Sequence, residues 1–277
     1  MSHFLELKNI VEKLRHPETG CPWDKKQTSK SLLPNFIEEV YEAVEAIEDG
    51  DDKLLIEELG DILLHIMLQI NIAEEKNAFT LDDVLININE KLIRRHPHIF
   101  SDISDNSNLL KKPKTADAVK INWERIKLKE KKAERDSVLD GIPRNLPALI
   151  QAQRIQEKAA AVGFDWETIE PVLEKIMEEI DEVKAEIEKL HVDNDIKQNT
   201  DDIEMEIGDL FFAVVNLARK LKIDSETALR KSNEKFKTRF KKIEKLCEEN
   251  QLDMKEMDLE ALDELWEKAK FFETSDE

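Results

Sequence analysis

The sequence predicts an all-α protein organised as two tandem helical copies, and three observations carry that reading. Glu, Lys, Leu and Ile dominate the 277 residues, while only six Gly and eight Pro interrupt them, a composition that suits long helices better than turn-rich sheets. Apolar residues recur at intervals of three and four through most of the chain, the spacing of one helical face. The same three blocks also occur twice in the same order. Glu38-Glu39-Val40-Tyr41-Glu42, then Glu58-Leu59-Gly60-Asp61, then Asn89-Glu90-Lys91 with Arg95, are answered by Glu178 to Glu182, Glu206 to Asp209 and Asn233-Glu234-Lys235 with Arg239. Glu178 follows Glu38 by 140 residues, Glu206 follows Glu58 by 148 and Lys235 follows Lys91 by 144, so the copies differ only by modest insertions. We place the first copy with its linker at 1–115 and the second at 116–277.

In chain order, Phe4, Leu7, Ile10, Val11 and Leu14 form a first helical stripe that stops at His16-Pro17. Gly20-Cys21-Pro22-Trp23-Asp24 is too rich in breakers for a regular element, and Trp23 is expected to pack as a core or loop anchor. A helix over Leu32 to Ile47 carries the first acidic block and ends at Asp49-Gly50-Asp51, and a more buried one runs from Leu54 to Ala73. Gly60, inside that second helix, costs about 1 kcal/mol of helix propensity and is expected to admit a neighbouring helix closely. Leu81 to Arg95 is a third helix with Lys91 and Arg95 one turn apart. His65, whose counterpart is Ala213, reads as packing, and His96-Pro97-His98, answered by Phe240-Lys241-Lys242, as an ordinary pair.

The polar stretch Ser101 to Lys114 is the linker candidate, followed by a charged helix over Ala116 to Arg135 that holds Trp123 and receives no chemistry. Helices are then expected at Leu149 to Ala161, at Ile169 to Leu190 with the second acidic block, and, after a polar insert at His191 to Asp202, at Ile203 to Leu221 and Ser225 to Glu249. Gly163-Phe164-Asp165-Trp166 echoes the earlier Trp-bearing turn, and the tail Leu259 to Phe272 is amphipathic with Trp266 and Lys270. No second aromatic-basic tail is expected after the first copy.

One ExxE pair on a helix is an ordinary solvated face, so the duplication is what turns these acids into candidates. Helical spacing puts Glu179 and Glu182 on one side of a helix and Glu206 and Asp209 on one side of the next. If those helices pack antiparallel, four carboxylates converge and repel unless a hard divalent cation neutralises them, magnesium or manganese being the natural choice. Glu39, Glu42, Glu58 and Asp61 are the matching set in the first copy. A di-iron carboxylate bundle needs Glu-x-x-His, and none of Glu39, Glu58, Glu179 or Glu206 has His three residues on. Lys235 and Arg239 can meet phosphate oxygens, Arg as a planar fork and Lys as a point charge.

The net charge of −20 argues against nonspecific binding to nucleic acid or an anionic membrane. Cys21 and Cys247, far apart, suit a reducing compartment, and the chain start and the broken apolar run at Ile62 to Ile72 suggest a soluble cytoplasmic protein.

The acidic blocks, the Cys21-Pro22-Trp23-Asp24 segment, the Arg94-Arg95-His96-Pro97-His98 run and Asn233-Glu234-Lys235-Phe236 together resemble the MazG nucleoside triphosphate pyrophosphohydrolases in their two-copy form, over nearly the whole chain. The resemblance implies tandem four-helix units of the all-α NTP pyrophosphatase type, and magnesium-dependent hydrolysis of a nucleoside triphosphate to monophosphate and pyrophosphate. It also implies a homodimer or higher homo-oligomer, and Trp266 and Lys270 beside the nucleotide. Glu178 stands as general base, outer ligand or a merely solvated acid. The remaining alternative is that one copy, the first by preference, is a non-catalytic dimerisation or interaction module.

Overall fold

The computed structural model describes residues 3–100, 136–190 and 196–273, together with positions 115, 119, 123 and 126. The expected linker and most of the charged helix after it lie outside the described residues, as does 116, the expected start of the second copy. Two compact units, Met1–Glu130 and Lys131–Glu277, make up the chain. Every regular element among the described residues is a helix. None of these helices is long and apolar enough to cross a membrane.

The first unit contains α1 (His3–Leu14), the short α2 (Pro22–Lys26), α3 (Leu33–Asp49), α4 (Asp52–Glu75), α5 (Leu81–Arg95) and the single turn α6 (Pro97–Phe100). The α3–α4 hairpin is tight because Gly50 takes the left-handed conformation, φ 68°, that ends a helix without a Cβ clash, and its N–H bonds to the Ala46 carbonyl. Asp51 then caps α4 by accepting from the backbone N–H groups of Lys53 and Leu54, both at 3.0 Å. Thr80 and Asp83 form a reciprocal capping box that starts α5. α3 and α1 both pack on α4, and Val11, Leu32, Met67, Leu68, Ile70, Ile72 and Leu81 form the core. Buried Arg15, just past α1, clamps Glu75 at the end of α4 through two hydrogen bonds of 2.8 Å. Its remaining nitrogen donates to the backbone carbonyls of Asp24 and Gln27, which ties the Trp-bearing turn to the core.

The second unit contains α7 (Ala148–Ala160), α8 (Glu170–Leu190), α9 (Ile196–Lys220), α10 (Ser225–Glu249) and α11 (Leu259–Glu273). α8 and α9 pair along their length, α7 lies on α9, and α10 packs on α7 and α11. Asp224 caps α10 by accepting from the Thr227 N–H at 2.8 Å. Ile243, Cys247, Leu265 and Ala269 close the α10–α11 contact.

Three expectations are corrected. α9 begins at Ile196, so much of the polar insert is the first turns of a helix. Trp23 is 56% exposed and anchors no core, because it is Arg15 and not the indole that holds its turn. A Cβ built on Gly60, or on its counterpart Gly208, meets nothing within 4 Å, so no described helix uses the gap. The surfaces beside these glycines are apolar: Ile56, Leu59 and Leu63 in the first unit and Met205, Ile207 and Phe211 in the second are exposed.

Candidate functional site

Each acidic block sits on one helix of a packed pair, which is why the residues converge. In the second unit Glu179 on α8 meets Glu206 and Asp209 on α9, with one carboxylate oxygen of each lying within 4.8 Å of the others. In the first unit Glu39 on α3 meets Glu58 and Asp61 on α4 within the same limit. The fourth expected acid of each set stands outside the triad, on the more exposed side of the helix. Glu182 hydrogen-bonds to Glu179, which with partial burial holds its carboxyl above the usual range. Glu42 acts on Glu39 and Glu58 by its charge.

The two triads answer their own repulsion differently. Lys175, one turn before Glu179, donates to Glu178 Oε1 at 2.8 Å and lies 2.7 Å from Glu179 Oε1. Those hydrogen bonds hold the ammonium well above its ordinary pKa, and they bring a positive charge to Glu179, which is only 4% exposed. The residue 140 places earlier is Asn35, so the first copy has no such cation on this helix. There burial, with the charges of Asp61 and Glu42, pushes the Glu39 carboxyl up, while burial, the charge of Glu42 and a hydrogen bond with Glu39 raise Glu58. His65 fills the remaining edge of this triad. It stacks on Phe36 with ring centroids 5.7 Å apart, as a packing residue should, and its Nε2 lies 3.8 Å from Glu39 Oε1. Burial lowers its pKa, opposed by the charge of Asp61.

Glu178, the base candidate, is exposed and bonded to Lys175. Lys235 is exposed on α10. Arg239, one turn on, lies over the Trp266 ring, 5.6 Å from its centroid, and Phe236 packs on the same indole at 5.0 Å. Lys270, on α11, pairs with Glu267. Within the chain the candidates thus form two groups: acids with Lys175 on the α8–α9 pair, and Arg239 with Trp266 on the α10–α11 pair.

The first copy repeats the second group, against expectation. Arg95 lies over the Trp123 ring, 4.9 Å from its centroid. Trp123 and Lys127 stand in the sequence as Trp266 and Lys270 do, 143 residues earlier. The W-x-x-x-K spacing was therefore legible, but it lies in a highly charged stretch that masks it. Lys175 had a signal as well, a lysine preceding two candidate ligands by one turn and unmatched in the other copy. The run at His96 and His98 takes part in neither group; the His96 ring bonds to the Leu92 carbonyl at 2.8 Å.

One more feature adjoins the second triad. A cavity of about 790 Å³ has Glu179, Asp209 and Lys175 in its wall and continues past Phe212 to Phe164 and Trp166.

Comparison with known proteins agrees with the duplicated pattern. Residues 27–100 and 167–244 match the MazG nucleotide pyrophosphohydrolase domain. The chain is 47% identical to the nucleoside triphosphate pyrophosphohydrolase/pyrophosphatase MazG of Thermotoga maritima, over 96% of this chain and 95% of that protein. It is 44% identical to the nucleoside triphosphate pyrophosphohydrolase of Escherichia coli K12, over 98% of both. A longer Bacillus subtilis protein, the uncharacterized protein YabN, is 43% identical over 96% of this chain and 51% of its own length.

Proposed function

The chain belongs to the MazG nucleotide pyrophosphohydrolase family, and from that premise we propose that it hydrolyses nucleoside triphosphates to the monophosphate and pyrophosphate with a divalent cation, magnesium or manganese. The observation that carries the reading is the triad of Glu179, Glu206 and Asp209, three hard oxygen donors converging from two packed helices beside a cavity. The donor set fits such an ion: all oxygens, close enough to share one centre, one of them buried and all acidic. A bound divalent cation supplies Lewis-acid polarisation of a phosphate oxygen and of a water.

The protein's own residues supply the rest. Glu179, Glu206 and Asp209, with Glu182 at their edge, hold the ion, and Glu39, Glu58 and Asp61, with Glu42, are the matching ligands in the first copy. In the reaction a water oxygen bonds to the α-phosphorus, the bond from that phosphorus to the bridging oxygen breaks, and pyrophosphate leaves with the electron pair. Glu178, exposed at the rim and oriented by Lys175, takes the proton of the water. Arg239, lying over Trp266, and Lys235 one turn before it take up charge on the leaving pyrophosphate, with Lys270 near the nucleotide.

Acids and cations sit on different helix pairs, and the faces at Gly60 and Gly208 are apolar and exposed. Association of two chains through these faces would bury that surface and assemble complete sites, so the active form is a homodimer or a higher homo-oligomer. The test is the initial product of ATP turnover. AMP and pyrophosphate, abolished by excess chelator, are expected; ADP and orthophosphate, or full turnover in chelator, would overturn the reading.

A further inference from the structure

We infer that Phe236 is a positioning residue for the reaction: it fixes the Trp266 indole over which Arg239 lies, and through that ring it sets where the guanidinium meets the leaving pyrophosphate. This rests on the pyrophosphohydrolase reading and adds a residue that acts on the reaction only through another.

Phe236, Arg239 and Phe240 stand at i, i+3 and i+4 on α10, the spacing of one helical face. The Phe236 ring lies 5.0 Å from the Trp266 indole, centroid to centroid, and is tilted 42° to it. Ring quadrupoles favour such a pair, tilted and within roughly 4.5–7 Å, over a face-to-face sandwich. Phe240 stacks on Phe236 at 5.9 Å and 15°. Trp266 itself packs against the cluster of Ile243, Cys247, Leu265 and Ala269. The indole is thereby held by the core and by two residues of α10, one aromatic and one cationic. Phe236 is 56% exposed and stands outside that cluster, so the core gains little from it.

The gain is in the cation. An arginine side chain is long and loses freedom when it presents its fork to a phosphate, and a surface that restricts it beforehand lowers that cost. Its charge assists the reaction only where negative charge develops in the transition state. A guanidinium displaced by about an ångström therefore lowers the rate more than it lowers substrate affinity.

The duplication separates the two contacts. The residues 144 places before Phe236 and Phe240 are Leu92 and His96. Arg95 still lies over Trp123, so the contact of cation and ring forms without an aromatic residue at that position. His96 turns to the Leu92 carbonyl and to the His98 ring instead. The aromatic pair belongs to the second copy, and what it adds there is restriction of the indole.

The experiment gives the second copy the first copy's residue, Phe236→Leu, which α5 accepts as Leu92. Circular dichroism reports folding, and Phe236→Met takes its place if the leucine variant does not fold. With magnesium and ATP, kcat is expected to fall threefold or more, the scale of one aromatic pair, with KM within twofold of native. Phe236→Tyr keeps the ring and should stay within twofold of native. The deciding comparison is a double-mutant cycle with Arg239→Lys, which keeps the charge but not the planar fork. If Phe236 acts through Arg239, the leucine substitution costs less than twofold in that background. A fall in kcat of less than threefold, a loss of twofold or more that persists beside Arg239→Lys, or a tyrosine variant as slow as the leucine one would overturn the inference. Calorimetric affinity for magnesium pyrophosphate repeats the cycle where Arg239→Lys turns over too slowly to read. If the native protein releases no pyrophosphate from ATP, the pyrophosphohydrolase reading has failed, and these affinities decide Phe236 by the same criteria; a native protein that binds no pyrophosphate would overturn both.

Discussion

Replacing Lys175 by Met removes the ammonium bonded to Glu178 and Glu179 while keeping an unbranched apolar stem. The side chain is 36% exposed, so solvent screens the pair, and a value near the aqueous limit applies. Two unit charges 2.7 Å apart attract by about 1.5 kcal/mol at the dielectric of water, and the cost of ordering the lysine leaves about 1 kcal/mol net. The metal-free variant is therefore expected to melt about 2–4 °C below the native protein. The effect on metal binding has the opposite sign. A divalent ion held by these acids would be repelled by the ammonium by about 2 kcal/mol at a separation of roughly 4 Å even in water, so Lys175→Met should bind magnesium about thirtyfold more tightly. The two effects combine in one observation: the melting gap seen in chelator narrows or reverses in saturating magnesium, because binding to the folded state stabilises it in proportion to affinity. Calorimetric titration and melting with and without magnesium measure both. Equal or weaker magnesium binding by Lys175→Met, or a metal-free melting point at or above the native one, would refute the argument that this lysine stands in for the cation.

Three further outcomes are expected. Asp209→Ala should abolish most ATP turnover at saturating magnesium while the matched Asp61→Ala leaves a large fraction, since the second copy alone combines the triad with Lys175 and the cavity; equal losses, measured with circular dichroism as a folding control, would make the first copy an equal catalyst. In chelator, stability of the first unit should fall as pH rises from about 4.5, because the raised folded-state pKa values of Glu39 and Glu58 mean that the folded state binds more protons than the unfolded one. Glu75 and Asp165, whose pKa values are lowered, lose their contribution only as pH falls; His65, lowered by burial, adds stability as pH rises toward 6.5 and so opposes the fall; and Lys175 matters only above about 10.5, so the fall is what remains after the His65 rise and Glu58→Gln should reduce it; a profile unchanged by Glu58→Gln would sink this. Arg15→Met should destabilise the first unit by about 2–3 kcal/mol, the scale of charge-assisted hydrogen bonds, by releasing Glu75 and the carbonyls of Asp24 and Gln27; a change below 0.5 kcal/mol in denaturant titration would contradict it.

The helices and the duplication were legible in the residues alone, because both are local or repetitive signals. Leu81–Arg95 and Ser225–Glu249 fall where periodicity and caps put them, since Thr80 with Asp83 and Asp224 are start signals that act within one turn. The acids were legible for the same reason: three-residue spacing places Glu206 and Asp209 on one face whatever that face meets. Only the tertiary structure decided which groups surround them. Lys175 beside Glu179 but His65 beside Glu39, Trp123 under Arg95 as Trp266 lies under Arg239, and a cavity lined by Ala213 and Asn216 all depend on which helix packs against which. The polar insert shows the limit of local reading, as its residues look like a loop yet begin α9. A pattern of three and four residues specifies which side of a helix is acidic or apolar, but it contains no distance between helices, and charge neutralisation, stacking and empty volume are properties of those distances.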